Sequence, residues 1–139
     1  MHAYLSSLVP EDARARVEFT GFLEPEALLN KYQQSTVCVF PSRWEGFGLA
    51  AAEAMACGKP VVLSDTSGFR EIGAHDVNGL FVKSDDPEAL AETINVLLRD
   101  SRLRQRLGAA ARNTALTRFH SAAVGRSMLK IYRESIAAA

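Results

Sequence analysis

The strongest constraint on the fold of this chain is a strand, loop, helix and second strand within residues 36–64. Residues 36–40 are Thr-Val-Cys-Val-Phe, and this continuous apolar run predicts a strand buried on both faces, as in a parallel sheet. A helix is predicted over 49–57, ended by Gly58, and a second apolar strand follows at 61–64. This order predicts a βαβ unit with parallel strands.

The same alternation of strands and helices extends over the rest of the chain. Short strands are predicted at 17–20, 36–40, 61–64 and 80–82, and helices near 25–32, 68–72, 86–98, 101–118 and 121–136. This pattern predicts an α/β fold, a Rossmann-like parallel sheet with flanking helices. Four strands are few for such a domain. We therefore expect residues 1–139 to form a single partial domain that is truncated at its N-terminal strands.

Composition excludes several function classes. Sixteen basic residues balance sixteen acidic ones, so the positive charge of a general nucleic-acid binder is missing. No apolar run approaches the roughly 20 residues of a membrane span, and the N-terminus does not resemble a secretory signal. Cys38 and Cys57 lie in apolar contexts without zinc-ligand spacing, and the histidines are scattered. We expect a cytoplasmic protein with no metal site and with buried, unpaired cysteines.

The loop at 41–48 has the chemistry of an anion site. In open α/β sheets, ligands bind beyond the carboxyl ends of the strands, where loops lead into helices. Gly46 and Gly48 carry no Cβ, so the backbone can approach a ligand closely. The helix that follows points unpaired N–H groups and the positive end of its dipole at the loop. A phosphate or diphosphate is the predicted ligand.

Two carboxylates flank the start of this helix. Glu45 precedes it and Glu53 lies within it, about 7–8 Å from Gly48 along the axis at a rise of 1.5 Å per residue. A nucleoside diphosphate spans a similar distance between its terminal phosphate and its ribose. One helix could therefore hold the diphosphate at its start and the ribose diol through Glu53. Glu45 would then meet a sugar attached beyond the diphosphate, because carboxylates accept hydrogen bonds from hydroxyls.

The segment PSRWEGFGLAAAEAMACGKPVV at 41–62 resembles the signature of retaining glycosyltransferases of the GT-B fold, of the family 4 or group 1 type. Their motif is two glutamates separated by seven residues, which Glu45 and Glu53 fit. The stretch NGLFV at 78–82 continues the resemblance, which covers about 17–136.

The resemblance implies a donor-binding domain for a nucleotide-diphosphate sugar in an enzyme that transfers a hexosyl group to a sugar, lipid or other hydroxyl. Glu53 would bind the ribose, and Glu45 would be the catalytic residue that contacts the transferred sugar. The diphosphate and sugar would be bound by Gly46, Phe47, Gly48, Leu49 and Ala50, and the base would lie near Phe22 and Leu23. No cofactor or metal is expected, because the helix dipole and basic side chains neutralise the diphosphate.

The resemblance also implies that parts of the active site lie elsewhere. The donor domain of this family begins with two further strands, which carry a glycine loop and a basic clamp for the diphosphate, and this chain is expected to start after them. The helix at 121–136 would dock on a separate acceptor domain, on a partner chain, or on a second copy in a homo-oligomer. The chain alone is expected to be inactive. We expect it in the cytoplasm or at the inner face of a membrane.

Two other functions fit parts of the sequence. The segment GFGLAA at 46–51 fits the G-x-G-x-x-A fingerprint of dinucleotide-binding domains, with Asp65 near the expected ribose-binding position, as in an oxidoreductase. However, five residues separate the first glycine from the preceding strand, and the fingerprint should follow its strand at once. The other alternative is a module that binds a nucleotide and catalyses nothing.

Overall fold

The structure, a computed structural model, describes residues 2–137. The chain divides into two compact units, the first reaching to Asn30 and the second beginning at Lys31. The first unit contains helix α1 (His2–Leu8), a 3-10 helix (Glu11–Arg16) and the start of α2 (Pro25–Gln34). All remaining elements belong to the second unit.

The prediction of a strand at 17–20 is wrong, because these residues form no strand in the structure. Val17 and Phe19 are both more than a third exposed. Alternating apolar and polar residues indicate a half-buried strand only where a neighbouring strand accepts the backbone hydrogen bonds. The described sheet instead begins with β1 (Cys38–Phe40).

Three parallel strands form the sheet, in the order β1, β2 (Val61–Ser64) and β3 (Leu80–Val82). Cys38 pairs with Val61, and Val62 pairs with Leu80. The βαβ unit predicted from the sequence is confirmed. β1 is shorter than the predicted 36–40, and only its first residue is fully buried.

Helices connect and flank these strands. The first connection contains α3 (Leu49–Ala56), and the second contains α4 (Ser67–Ile72). After β3 come α5 (Pro87–Arg99) and α6 (Ser101–Thr114). Asp86 caps α5 by accepting the Ala89 N–H at 2.9 Å, as the sequence predicts. Gly58 ends α3 with a φ of +72°, which glycine adopts without strain.

The core of the second unit lies on both faces of the sheet, because successive side chains of a strand point in opposite directions. Val61 and Leu63 pack on one face in a cluster with Met55, Phe69 and Ile72. Val62 packs on the other face with Leu80, Val82, Leu97 and Leu107. Cys38 is buried, whereas Cys57 is only half-buried, and neither thiol is in a disulfide.

The helix predicted at 101–118 ends early, in a π-helical turn (Ala115–Phe119). The His120 N–H donates to the Ala115 carbonyl, five residues back, at 3.1 Å. Helix α7 (Ser121–Ala137) follows. It exposes several apolar side chains, with Val124, Met128 and Ile131 each more than 40% exposed.

Candidate functional site

The candidate site is formed by the loop between β1 and α3 and by the first two turns of α3. The loop leaves the carboxyl end of β1, at the same edge of the sheet as Ser64 at the end of β2 and Lys83 after β3, because the strands are parallel. This edge is where ligands of open α/β sheets bind. Within the loop, Arg43 pairs with Asp85 at 2.7 Å and remains largely exposed.

Gly48 precedes α3 in a backbone conformation that residues with a side chain rarely adopt. Its φ is +95°, and a Cβ built on it would lie 2.7 Å from the ring of Phe69 and 3.2 Å from Ile72. Both the backbone conformation and the packing of α4 therefore require glycine here. A Cβ on Gly46 would meet only the Trp44 side chain, at 3.7 Å, which is an ordinary van der Waals contact.

Glu45 folds back onto the start of the helix. Its Oε1 accepts the N–H groups of Gly46 and Gly48, each at 3.1 Å. A carboxylate at a helix N-terminus is stabilised by the dipole and by these amides. The Gly48 amide, predicted to bind the diphosphate, is thus bonded to Glu45, so a phosphate using that amide must compete with it. The amides of Leu49 and Ala50 belong to the first turn, where helical geometry provides no acceptor.

Gly68, in the first turn of α4, packs closely against the backbone of this loop. It is buried, and a Cβ on it would lie 2.7 Å from the carbonyl carbon of Glu45 and 2.8 Å from that of Gly46, with the Glu45 oxygen closer still. These are backbone atoms, which cannot rotate away. The sequence pattern did not identify Gly68 as a site residue. The nearness of Gly68 to Glu45 depends on how α4 packs, and no local pattern encodes that packing.

Glu53 lies exposed on α3, one and a half turns after Gly48. Its Oε2 is 3.4 Å from the hydroxyl of Tyr32, which also donates to the Ala50 carbonyl at 3.1 Å. Burial, and next the charge of Glu53, raise the pKa of Tyr32 to about 12. The phenol therefore stays protonated at neutral pH. Tyr32 lies in the first predicted helix after Gly21, and the sequence pattern did not identify it as a site residue, although a buried tyrosine hydroxyl usually has a partner.

An apolar groove of about 420 Å³ adjoins Glu53. Phe47 lies in its wall and packs edge-on against Phe119, with ring centroids 5.5 Å apart. Leu49, Leu116 and Val124 complete much of the lining. Phe47 therefore packs beside the site as part of the groove wall.

The two predicted base-contacting residues belong to a different unit from the residues described above. Phe22 and Leu23 belong to the first unit, in the loop after Gly21, and Phe22 is 88% exposed. Their role as base contacts stays a prediction.

The position of Asp65 weakens the dinucleotide alternative. Asp65 follows β2 and forms an ion pair with Arg70, with Nη2 to Oδ2 at 2.7 Å. The hydrogen bonds from Arg70 lower the pKa of the Asp65 carboxyl. β1 ends at Phe40, so five residues do separate the strand from Gly46. A ribose at Asp65 would have to displace Arg70, and the glycines lie too far from the strand.

The described part of the chain has neither a metal-ligand cluster nor a helix suited to a membrane. Residues 2–137 contain no group of three or more histidine, cysteine, aspartate or glutamate side chains placed to hold a metal ion. None of the helices described in this range is both long enough and apolar enough to span a bilayer.

Comparison with known proteins gives consistent matches. Residues 10–114 match the family described as glycosyl transferases group 1. The D-inositol 3-phosphate glycosyltransferase of Xylanimonas cellulosilytica is 41% identical over 122 residues, covering 88% of this chain and 29% of the relative. This chain thus spans about a third of the length of the curated relatives that it matches.

Solved structures agree with these matches. Sucrose-phosphate synthase of Thermosynechococcus elongatus superposes with a TM-score of 0.87 at 36% identity, over 99% of this chain and 35% of that one. HepE of Anabaena, in complex with UDP-glucose, superposes with a TM-score of 0.82 at 26% identity, over 96% of this chain and 35% of its own. The parallel sheet with flanking helices matches the C-terminal domain of GT-B glycosyltransferases, as expected from the sequence.

Proposed function

This chain belongs to the glycosyl transferases group 1, and we propose that it binds the nucleotide-diphosphate-sugar donor of a retaining hexosyltransferase. The observation that carries the proposal is the arrangement on α3: backbone amides at its start, and Glu53 about 7–8 Å further along the axis at 1.5 Å per residue. HepE, a structural relative, has been solved with UDP-glucose. UDP is therefore the first nucleotide to test.

The proposed roles follow from the hydrogen-bonding capacity of each group. The amides of Leu49 and Ala50 bind the diphosphate, where the helix dipole favours negative charge. Glu45 keeps Oε1 on the amides of Gly46 and Gly48 and offers Oε2 to a hydroxyl of the transferred sugar. Glu53 accepts the ribose hydroxyls, and Phe22 and Leu23 contact the base.

In the proposed transfer, the bond between the anomeric carbon and the diphosphate oxygen breaks. The acceptor hydroxyl oxygen bonds to that carbon on the same face, and its proton passes to the leaving diphosphate. The amides at the start of α3 then stabilise the negative charge that develops on the diphosphate. No step in this scheme uses a metal or a cofactor.

Nucleotide preference tests the proposal. We expect a nucleoside diphosphate to bind at least about tenfold tighter than NAD, because the amides and Glu53 together match one diphosphate and one ribose, a difference of roughly 1.4 kcal/mol. Calorimetric titration of UDP, GDP, ADP and NAD against the purified chain measures it. Equal or tighter binding of NAD would contradict the transferase assignment and favour the dinucleotide alternative.

We expect the 139-residue chain to bind the donor without transferring sugar by itself. Transfer requires the acceptor hydroxyl to be held beside the leaving diphosphate, on the same face of the sugar, while water is excluded. The chain spans only about a third of the length of its relatives. In the proposed enzyme, the acceptor groups lie on the docking partner of α7. Purified chain would be assayed with labelled UDP- and GDP-sugars and a panel of hydroxyl acceptors. Robust turnover by a demonstrated monomer would show that no partner is needed.

A further inference from the structure

Tyr32 connects the end of α2 to the middle of α3. Its ring packs against the core cluster that contains Met55 and Phe69, so the ring is only partly accessible. Its hydroxyl reaches α3 at two points, the Ala50 carbonyl at 3.1 Å and Glu53 Oε2 at 3.4 Å. The phenol is therefore anchored by packing at one end and by hydrogen bonds at the other.

We propose that Tyr32 is a positioning residue for Glu53, holding the carboxylate through Oε2 so that Oε1 is available to the ribose hydroxyls. This inference rests on the proposed function, in which Glu53 binds the ribose. Glu53 is exposed, and a free glutamate side chain samples several rotamers. Ordering it before the ligand arrives removes part of the entropy cost of binding.

The hydroxyl can serve this role because it remains a donor. Its raised pKa, about 12, results first from burial and then from the charge of Glu53, with smaller contributions from Cys38 and Cys57. The phenol has one proton, so at any moment it donates either to the Ala50 carbonyl or to Glu53. Both acceptors lie in the first five residues of α3, so either bond keeps the hydroxyl beside Glu53.

The test is Tyr32→Phe, which removes the hydroxyl and retains the ring. We expect the affinity for UDP to fall about three- to tenfold, the range of one net hydrogen bond. The affinity for 2′,3′-dideoxy-UDP should stay unchanged, because this ligand lacks the hydroxyls that Glu53 accepts. Calorimetry measures both, and thermal unfolding checks that the fold is retained. Tyr132→Phe, on the exposed surface of α7, is the matched control and should change neither affinity.

Glu53→Ala and the double variant separate this inference from the proposed function. In the Glu53→Ala background, Tyr32→Phe should cause no further loss of UDP affinity. If Tyr32→Phe weakens both ligands alike, Tyr32 is only structural and the inference is wrong. The inference is also wrong if Tyr32→Phe leaves UDP binding intact while Glu53→Ala weakens it, although the ribose assignment then stands. If Glu53→Ala has no effect, the ribose assignment itself is wrong.

Discussion

Gly68→Ala is expected to lower the affinity of the chain for UDP by about tenfold or more. The added Cβ would lie 2.7 Å from the Glu45 carbonyl carbon and 2.8 Å from that of Gly46. Because these are backbone atoms, the loop itself must move. Overpacking of this kind costs about 1–3 kcal/mol. The displacement moves the backbone that carries the Glu45 carboxylate and leads into the amides at the start of α3, the groups that the proposed function assigns to the donor. Calorimetry gives the affinity, and thermal unfolding gives the stability.

Gly125→Ala provides the control for this substitution. Gly125 lies in α7, where a Cβ would meet no heavy atom within 4 Å. Alanine is favoured over glycine inside a helix by about 0.5–1 kcal/mol, so this variant should be as stable as the parent or slightly more stable. UDP should bind to it normally. If Gly68→Ala also binds UDP as the parent does, the loop does not need its present position for binding.

Glu53→Ala is expected to weaken ribonucleotide binding by about 1.5–3 kcal/mol, the range for hydrogen bonds to a charged group. At 1.4 kcal/mol per factor of ten, the loss is about 10- to 150-fold. A nucleotide that lacks the 2′ and 3′ hydroxyls should lose almost no affinity, because the diphosphate site at the start of α3 is untouched. Calorimetry with UDP and 2′,3′-dideoxy-UDP compares the two ligands directly.

Glu92→Ala is the matched control, because Glu92 is another exposed helical glutamate, on α5. It removes the same charge and the same side chain away from the candidate site. Its effect on UDP binding measures the contribution of net charge alone. A Glu53→Ala loss that is equal for both nucleotides would mean that Glu53 supports the helix rather than the ribose.

The second unit was predictable because its signals are local and agree with one another. β2 is buried throughout and becomes the central strand of the sheet. Asp86 and Pro87 predict the start of α5, and the side chain of Asp86 makes the capping bond. Gly58 predicts the end of α3 and has the positive φ of a helix terminus. In each case, the residue determines the conformation at its own position.

The features that the sequence did not predict depend on distant partners. Val17 and Phe19 alternate with polar residues, yet no described strand forms there, since alternation does not specify a neighbour. The motif identified Glu45 and Glu53 as candidate residues. It did not indicate that Glu45 bonds to the amides of Gly46 and Gly48, or that Tyr32 reaches Glu53 from α2. Those contacts depend on side-chain rotamers and on tertiary packing.

The π-helical turn at Ala115–Phe119 makes this part of the chain more sensitive to its length than to its composition. A helix of 3.6 residues per turn rotates by about 100° for each residue. Deleting one residue from the turn would therefore change the angle at which Phe119 leaves it and disturb the edge-on contact with Phe47. A conservative replacement within the turn keeps that angle. The wall of the groove beside Glu53 is therefore set by a residue count, which insertions and deletions change and most substitutions do not.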